Sequence, residues 1–206
     1  MKYAGIFIIL IIFFITIFFR QPLIKIFSQI STISVTVPGD PPIVNFFAYP
    51  QNRGTRTLST NGIFEVRSRG TTQVLQTYSS IITDNTGYYP LLTLENLYGG
   101  TYDLVYKGYS HIKRKVSAIS LISGDANDDV NFGTLFAGDV KTTAESPNGD
   151  NAINGLDMST LNSVWDSNTG DTGPSENRSD LNEDNSINGL DMSLLVNNWN
   201  SGLVGD

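Results

Sequence analysis

Asn148-Gly-Asp-Asn-Ala-Ile-Asn-Gly-Leu-Asp-Met-Ser159 is answered 34 positions later by Asn182-Glu-Asp-Asn-Ser-Ile-Asn-Gly-Leu-Asp-Met-Ser193. Counted from Asp180, oxygen-bearing side chains of the second copy fall at positions 1, 3, 5, 7, 9 and 12: Asp180, Asn182, Asp184, Ser186, Asn188 and Asp191. A loop wrapped around a hard cation turns alternate side chains inward and offers its position 7 carbonyl. A carboxylate at the start of a helix closes the shell. Six or seven oxygens suit Ca²⁺; Mg²⁺, which prefers a tighter octahedron with waters, is the second choice. Carboxylates and amides without Cys, in a chain holding one His, disfavour zinc and copper. Position 6 needs a residue that tolerates φ > 0, and Asn185 stands there.

The first copy supplies Asn148, Asp150, Asn154 and Asp157 at positions 3, 5, 9 and 12, with the Ala152 carbonyl at position 7. Its position 1 has two candidates. Strict register gives Ser146. Gly138-Asp139-Val140 parallels Ser179-Asp180-Leu181 and gives Asp139, with Lys141 to Pro147 inserted between positions 2 and 3. A short apolar stripe at helical spacing follows each loop: Met158, Leu161, Trp165 and Met192, Leu195, Trp199. The expectation is two loop–helix units whose stripes, with Ile187, form a shared core. Few large apolar residues and no cysteine leave such a small module in need of a metal staple.

Two loop–helix units with Asp at position 12 resemble a type I dockerin over Gly138 to Asp206. The resemblance implies two bound calcium ions and a cohesin-type partner, as in multi-enzyme complexes that degrade polysaccharides. Members of that family carry Ser-Thr at loop positions 10 and 11, where the partner is selected. Gly155-Leu156 and Gly189-Leu190 hold those positions here and are the candidate partner-binding residues.

Upstream, short β-like runs separated by turns are predicted at Ile43–Tyr49, Gly62–Ser68, Val74–Thr83, Tyr89–Leu94, Thr101–Lys107, Ser110–Val116 and Ala118–Ile122. Alternation in Phe64-Glu-Val-Arg67 and at Tyr102, Leu104 and Tyr106 marks half-buried strands. The spacing points to an antiparallel β-sandwich of immunoglobulin or transthyretin type. Asp84-x-x-Gly87 followed by Leu97-x-x-Gly100-x-Tyr102-x-Leu104 is similar to the carboxypeptidase-regulatory-like β-sandwich family, whose domains act as spacers or adhesive modules. The predicted organisation is a signal peptide or membrane anchor at 1–34, a linker at 35–42, the sandwich at 43–137 and the dockerin-like module at 138–206. The first segment rests on the apolar run Tyr3 to Phe19, which is near the minimum length for a spanning helix and is followed by no clear cleavage site. An uncleaved anchor and a cleaved signal both remain open. Val37-Pro-Gly-Asp-Pro-Pro42 is a breaker cluster.

Charge separates the two parts. Gly138 to Asp206 carries twelve Asp/Glu against two Lys/Arg, whereas the preceding residues carry eight against eleven. The acidic segment excludes nucleic acid as a partner and favours cations. His111, Lys113 and Lys115, near Lys107 and Arg114, read as a solvated sheet face that has the charge to dock against the acidic module. Asp125-Ala-Asn-Asp-Asp129-Val-Asn131 starts like a third loop but fails to close, and reads as a turn between the domains. Every dense Asp cluster is explained by calcium rather than by paired-carboxylate glycosidase chemistry, so no catalytic residue is expected. Asn177-Arg-Ser179 is a glycosylation sequon. The expectation is a calcium-stabilised docking protein, extracellular or at the cell surface, either secreted or membrane-anchored. Two alternatives are a module that clasps its own sandwich and a carbohydrate-binding subunit using Tyr88, Tyr89, Tyr98 or Tyr109.

Overall fold

The computed structural model describes residues 39–51, 58–125, 127, 129–140, 149–166 and 179–200. The predicted N-terminal segment, the insertion from Lys141 to Pro147 and Asn177 lie outside the described residues. Among the described residues no helix is long and apolar enough to cross a membrane.

Among the described residues seven strands precede two helices: β1 Ile43–Pro50, β2 Asn61–Ser68, β3 Val74–Ile82, β4 Tyr88–Thr93, β5 Gly100–Gly108, β6 Arg114–Leu121, β7 Val130–Leu135, α1 Gly155–Ser163 and α2 Gly189–Asn200. Two sheets form, ordered β4-β1-β7 and β3-β2-β5-β6. Their facing sides bury Val44, Phe46, Ala48, Phe64, Val66, Leu104, Tyr106 and Phe132 in one core. β1 alternates strictly, with Val44, Phe46 and Ala48 inward, because neighbouring side chains of a strand point to opposite faces. Phe46 holds the two sheets together: its ring centroid lies 5.2 Å from Phe64, 5.0 Å from Tyr106 and 5.5 Å from an edge-on Phe132. The Tyr106 hydroxyl, buried among these rings, donates to the Thr60 and Ile81 carbonyls, as a buried phenol must.

The Asp84–Gly87 turn joins β3 to β4. One Asp84 oxygen accepts from the Thr86 N–H, the Thr86 hydroxyl and the Tyr88 N–H. Gly87 has φ +80°, and a Cβ there would lie 2.5 Å from the Ala48 carbonyl oxygen. Only glycine fits both conditions.

Three sequence expectations are corrected. The strands expected at Ser110–Val116 and Ala118–Ile122 are one strand, β6, preceded by a strap from Tyr109 to Lys113. Val130–Leu135, expected to follow a turn leading to the C-terminal module, is the last strand of the sandwich. It pairs with β1 in parallel, Phe46 opposite Val130 and Pro50 opposite Leu135, so the sandwich is not purely antiparallel. The periodicity of Val130, Phe132 and Leu135 was masked by the polar residues before it. Asn127 spends its side chain bracing that approach: it accepts from the Ile122 N–H and donates to the Ile43 carbonyl.

The helices belong to a second core made of Val140, Ile153, Leu161, Leu181, Ile187, Leu194 and Leu195, with Met158 and Met192 against it. Ile112 and Ala137 are part of the same cluster. Ile112 comes from the strap between β5 and β6, so the sandwich contributes an apolar plug to the module.

Candidate metal centres and docking face

The strap and the segment leaving β7 lie side by side. Ile112 N–H donates to the Phe136 carbonyl and Gly138 N–H to the Ser110 carbonyl, at 3.0 and 2.8 Å, while His111 bridges to Ala137. Only Phe136, Ala137 and Gly138 separate β7 from Asp139. The sandwich therefore delivers the first loop directly, without a flexible joint.

The two loops fold by one scheme. Asp139 accepts the N–H groups of Asp150 and Asn151, and Asp180 accepts those of Asp184 and Asn185. Asp157 accepts from Val140 and Asn154; Asp191 accepts from Leu181 and Asn188. Asp139 thus holds in the first loop the place that Asp180 holds in the second. Ser146, the other candidate for position 1, and Asn148 lie outside the described residues. Asp150 accepts the Ala152 N–H and Asp184 the Ser186 N–H, and Asn182 accepts the Asp184 N–H. Backbone conformation repeats as well. Position 4 is left-handed at Gly149 and Glu183, φ +76° and +54°, and position 6 at Asn151 and Asn185, φ +68° and +64°. A Cβ on Gly149 would fall 1.9 Å from an Asp139 oxygen, so this loop closes against its first carboxylate only with glycine.

Positions 9 and 12 have a second task. Asn154 accepts the Leu156 N–H while Asp157 accepts the Asn154 N–H; Asn188 and Asp191 repeat the pair at α2. This reciprocal cap satisfies the free N–H groups that open each helix. The same side chains that close the loop begin the helix.

Among the described residues, no three acidic or imidazole side chains converge into a ready-made metal cluster; the carboxylate oxygens are instead taken up by backbone N–H groups. The donor set still calls for positive charge. Asp139, Asp157 and Asp191 are at most 1 % exposed. Burial pushes the Asp157 carboxyl up to about 7 against the hydrogen bonds of Asn154 and Val140, and the charges of Asp139 and Asp150 add to the rise. Burial raises Asp180 and Asp191 as well, with Asp184 adding to both. A hard divalent cation would relieve each set by favouring the charged carboxylates. The donors Asp180, Asn182, Asp184, Asn188 and Asp191 therefore fit calcium, as do Asp139, Asp150, Asn154 and Asp157.

The surroundings of the loops differ. Lys107, on β5, reaches out from the four-stranded sheet and pairs with Asp139; it is 3 % exposed and also donates to the His111 carbonyl. His111 itself is 2 % exposed. The expected solvated basic face is in part an interface, because the first loop covers it. Lys113 N–H donates to the Asn151 side chain, and the Lys113 ammonium pairs with Glu65, which Arg67 also holds. Between loop and sheet lies a cavity of about 210 Å³ lined by Ile63, Glu65, Lys107, Lys113, Gly149, Asp150 and Asn151. From the other side Asn198 of α2 bonds to the Gln51 side chain and the Ala137 carbonyl. Gln51 and Asn198 carry no sequence signal, whereas Lys107 belongs to the basic face whose charge suits docking against the acidic module.

Four large apolar side chains stay exposed on the helices and just beyond α1, among exposed serines and asparagines. Leu156 and Leu190 are 54 % and 59 % exposed, Trp165 and Trp199 47 % and 39 %. The tryptophans were expected inside the helix core, and only Leu161 and Leu195 of each stripe are fully buried. The tyrosines considered as a carbohydrate platform are divided: Tyr89 stacks on the core ring of Phe46, Tyr88 lies against Phe47 and Tyr98 is exposed.

Residues 147–200 match the family model of the dockerin type I domain. The matched span begins after Asp139, which the hydrogen bonds join to it. Among solved structures, the chain is similar to a type II cohesin–X–dockerin complex from Acetivibrio cellulolyticus, a C-terminal interface mutant. That match has a TM-score of 0.51 and 19 % identity and covers 80 % of this chain and 97 % of that one. An N-terminal interface mutant of the same complex matches with a TM-score of 0.48 and 20 % identity, over 76 % and 94 % of the two chains. At 80 % of this chain, the first match extends well beyond residues 147–200 and into the sheets. A comparison with curated proteins found no match.

Proposed function

We propose that this chain is a non-catalytic docking protein in which a β-sandwich presents a dockerin module stabilised by two calcium ions. Repetition supports the reading: two loops with one hydrogen-bond scheme, each opening a helix with an exposed leucine, Leu156 or Leu190, at its second residue. Asp139, Asn148, Asp150, Asn154 and Asp157 with the Ala152 carbonyl would hold one ion. Asp180, Asn182, Asp184, Asn188 and Asp191 with Ser186 would hold the other. The ions supply counter-charge to six acidic side chains, most of them buried, of which Asp139 alone pairs with a lysine among the described residues. The partner is a cohesin-like domain, and the setting is extracellular or at a cell surface, where calcium is millimolar, including assemblies that degrade polysaccharides.

A sensor surface carrying the full-length chain tests this with purified type I and type II cohesins as probes, because the family match and the fold likeness point to different types. Binding in calcium, its loss in chelator and its loss in Leu156→Asp/Leu190→Asp support the proposal. Failure of both cohesins to bind a calcium-loaded chain overturns it. That result would favour a second reading, a calcium clasp on the module's own sandwich, supported by Lys107–Asp139, Gln51–Asn198 and the Ile112 plug.

A further inference from the structure

We infer that Lys107 is a built-in counter-charge for the first loop, and that it makes the two calcium sites unequal. The inference rests on the loops being calcium sites. Asp139, at position 1, is fully buried and faces the Lys107 ammonium. The ammonium is covered by the loop, fixed on a central strand and tied to the His111 carbonyl, so solvent does not screen it. The other cation nearby, Lys113, is committed to Glu65. In the second loop, Asp180, Asp184 and Asp191 pair with no lysine or arginine among the described residues.

Two consequences follow from charge alone. Calcium entering the first loop is repelled by a buried ammonium that shares a carboxylate with it, so this site is the weaker one. With no ion present, the same ammonium neutralises one of the loop's three carboxylates, so Asp139 stays held to the sheet. Calcium thus acts in two steps: the second loop fills first and organises α2, and the first loop fills at higher concentration. The protein is therefore sensitive to calcium over a wider range than two equal sites would give.

Calorimetric titration of the full-length, chelator-stripped chain with calcium tests this, with thermal melting in calcium and in chelator. The wild type is expected to show two affinities separated by roughly tenfold or more. Lys107→Met should tighten the weaker step alone by roughly tenfold and bring the two together. It should also melt near the wild type in saturating calcium but far below it in chelator. Lys107→Arg, which keeps the charge, should keep the steps apart. A weaker first-loop step in Lys107→Met would make the lysine a positioning residue and overturn the inference. So would two equal steps in the wild type, or a Lys107→Met chain that fails to fold even in saturating calcium, where the ion should replace the ammonium. Absence of any calcium binding would instead sink the proposed function itself.

Discussion

In the first loop Asp139 meets a buried ammonium, its Asn151 side chain is held by the Lys113 backbone, and a sheet lies behind it. In the second loop the matching Asp180 has the same bonds to its own backbone, yet its carboxylates gain no cation from the sandwich among the described residues. Loops that are alike within themselves therefore depend differently on what surrounds them. A duplicated motif reports the geometry it carries; it does not report which copy is propped from outside.

Removing calcium is the largest perturbation. At free ion about a thousandfold above Kd, each occupied site adds about 4 kcal/mol to the folded state, which for two sites is comparable with the stability of a small domain. Chelator should release amide protection across α2 and the second loop first, across α1 later, and leave the sandwich strands protected, as read by hydrogen exchange. Equal and simultaneous release of both loops would erase the contrast. Next come the two position 1 aspartates. Asp139→Ala strands Lys107 in the interface, and breaking a buried pair on one side costs about 3–5 kcal/mol. Asp180→Ala leaves no such orphan. Melting in chelator should show Asp139→Ala as the more damaging change, although both remove one calcium step.

Ile112→Ala empties a buried site in the module core from the sandwich side, at a cost of about 2–5 kcal/mol, and its effect should fall on the helices rather than on β1 or β2. Acidity acts more gently and in the same direction on both loops, since burial raises Asp157, Asp180 and Asp191 alike. Asp157 has its carboxyl raised from 3.8 to about 7 in the folded, ion-free loop. A raised carboxyl favours the folded state while protonated, so that contribution is complete below 3.8 and is lost as pH rises towards about 7. In chelator, α1 should melt at a lower temperature at pH 8 than at pH 5; in calcium the trend should reverse, since protons then compete with the ion. The smallest effect on stability belongs to Leu156→Asp and Leu190→Asp, within about 0.5 kcal/mol each as exposed changes. Their comparison in cohesin binding shows whether one helix face or both are used.

What could be read beforehand followed from periodicity. The alternation of β1, the Asp84 turn and the repeated loop motif each follow a local rule that one segment displays by itself. The hydrogen bonds that align Asp139 with Asp180 also lie behind the offset between Gly138-Asp139-Val140 and Ser179-Asp180-Leu181. Non-local pairing was hidden. β7 was missed because Asp125 to Asn131 looks like turn chemistry and its partner β1 lies about eighty residues earlier. Lys107 reads in the sequence as one member of a basic face able to dock on the acidic module, but nothing in its own strand names Asp139, 32 residues away, as its partner. Trp165 and Trp199 fit the spacing of a core stripe, but the short helices had already filled that core with Leu161, Leu194 and Leu195.

The parallel pairing of β1 with β7 also governs how the fold bears load. These are the first and last strands of the sandwich and they run the same way. Tension applied ahead of Ile43 and beyond Leu135 drags them past each other lengthwise, so the rungs between Phe46 and Leu135 resist together instead of parting one after another. Because β7 continues into Asp139 after three residues, a pull on that aspartate passes directly to the shear-resistant seam.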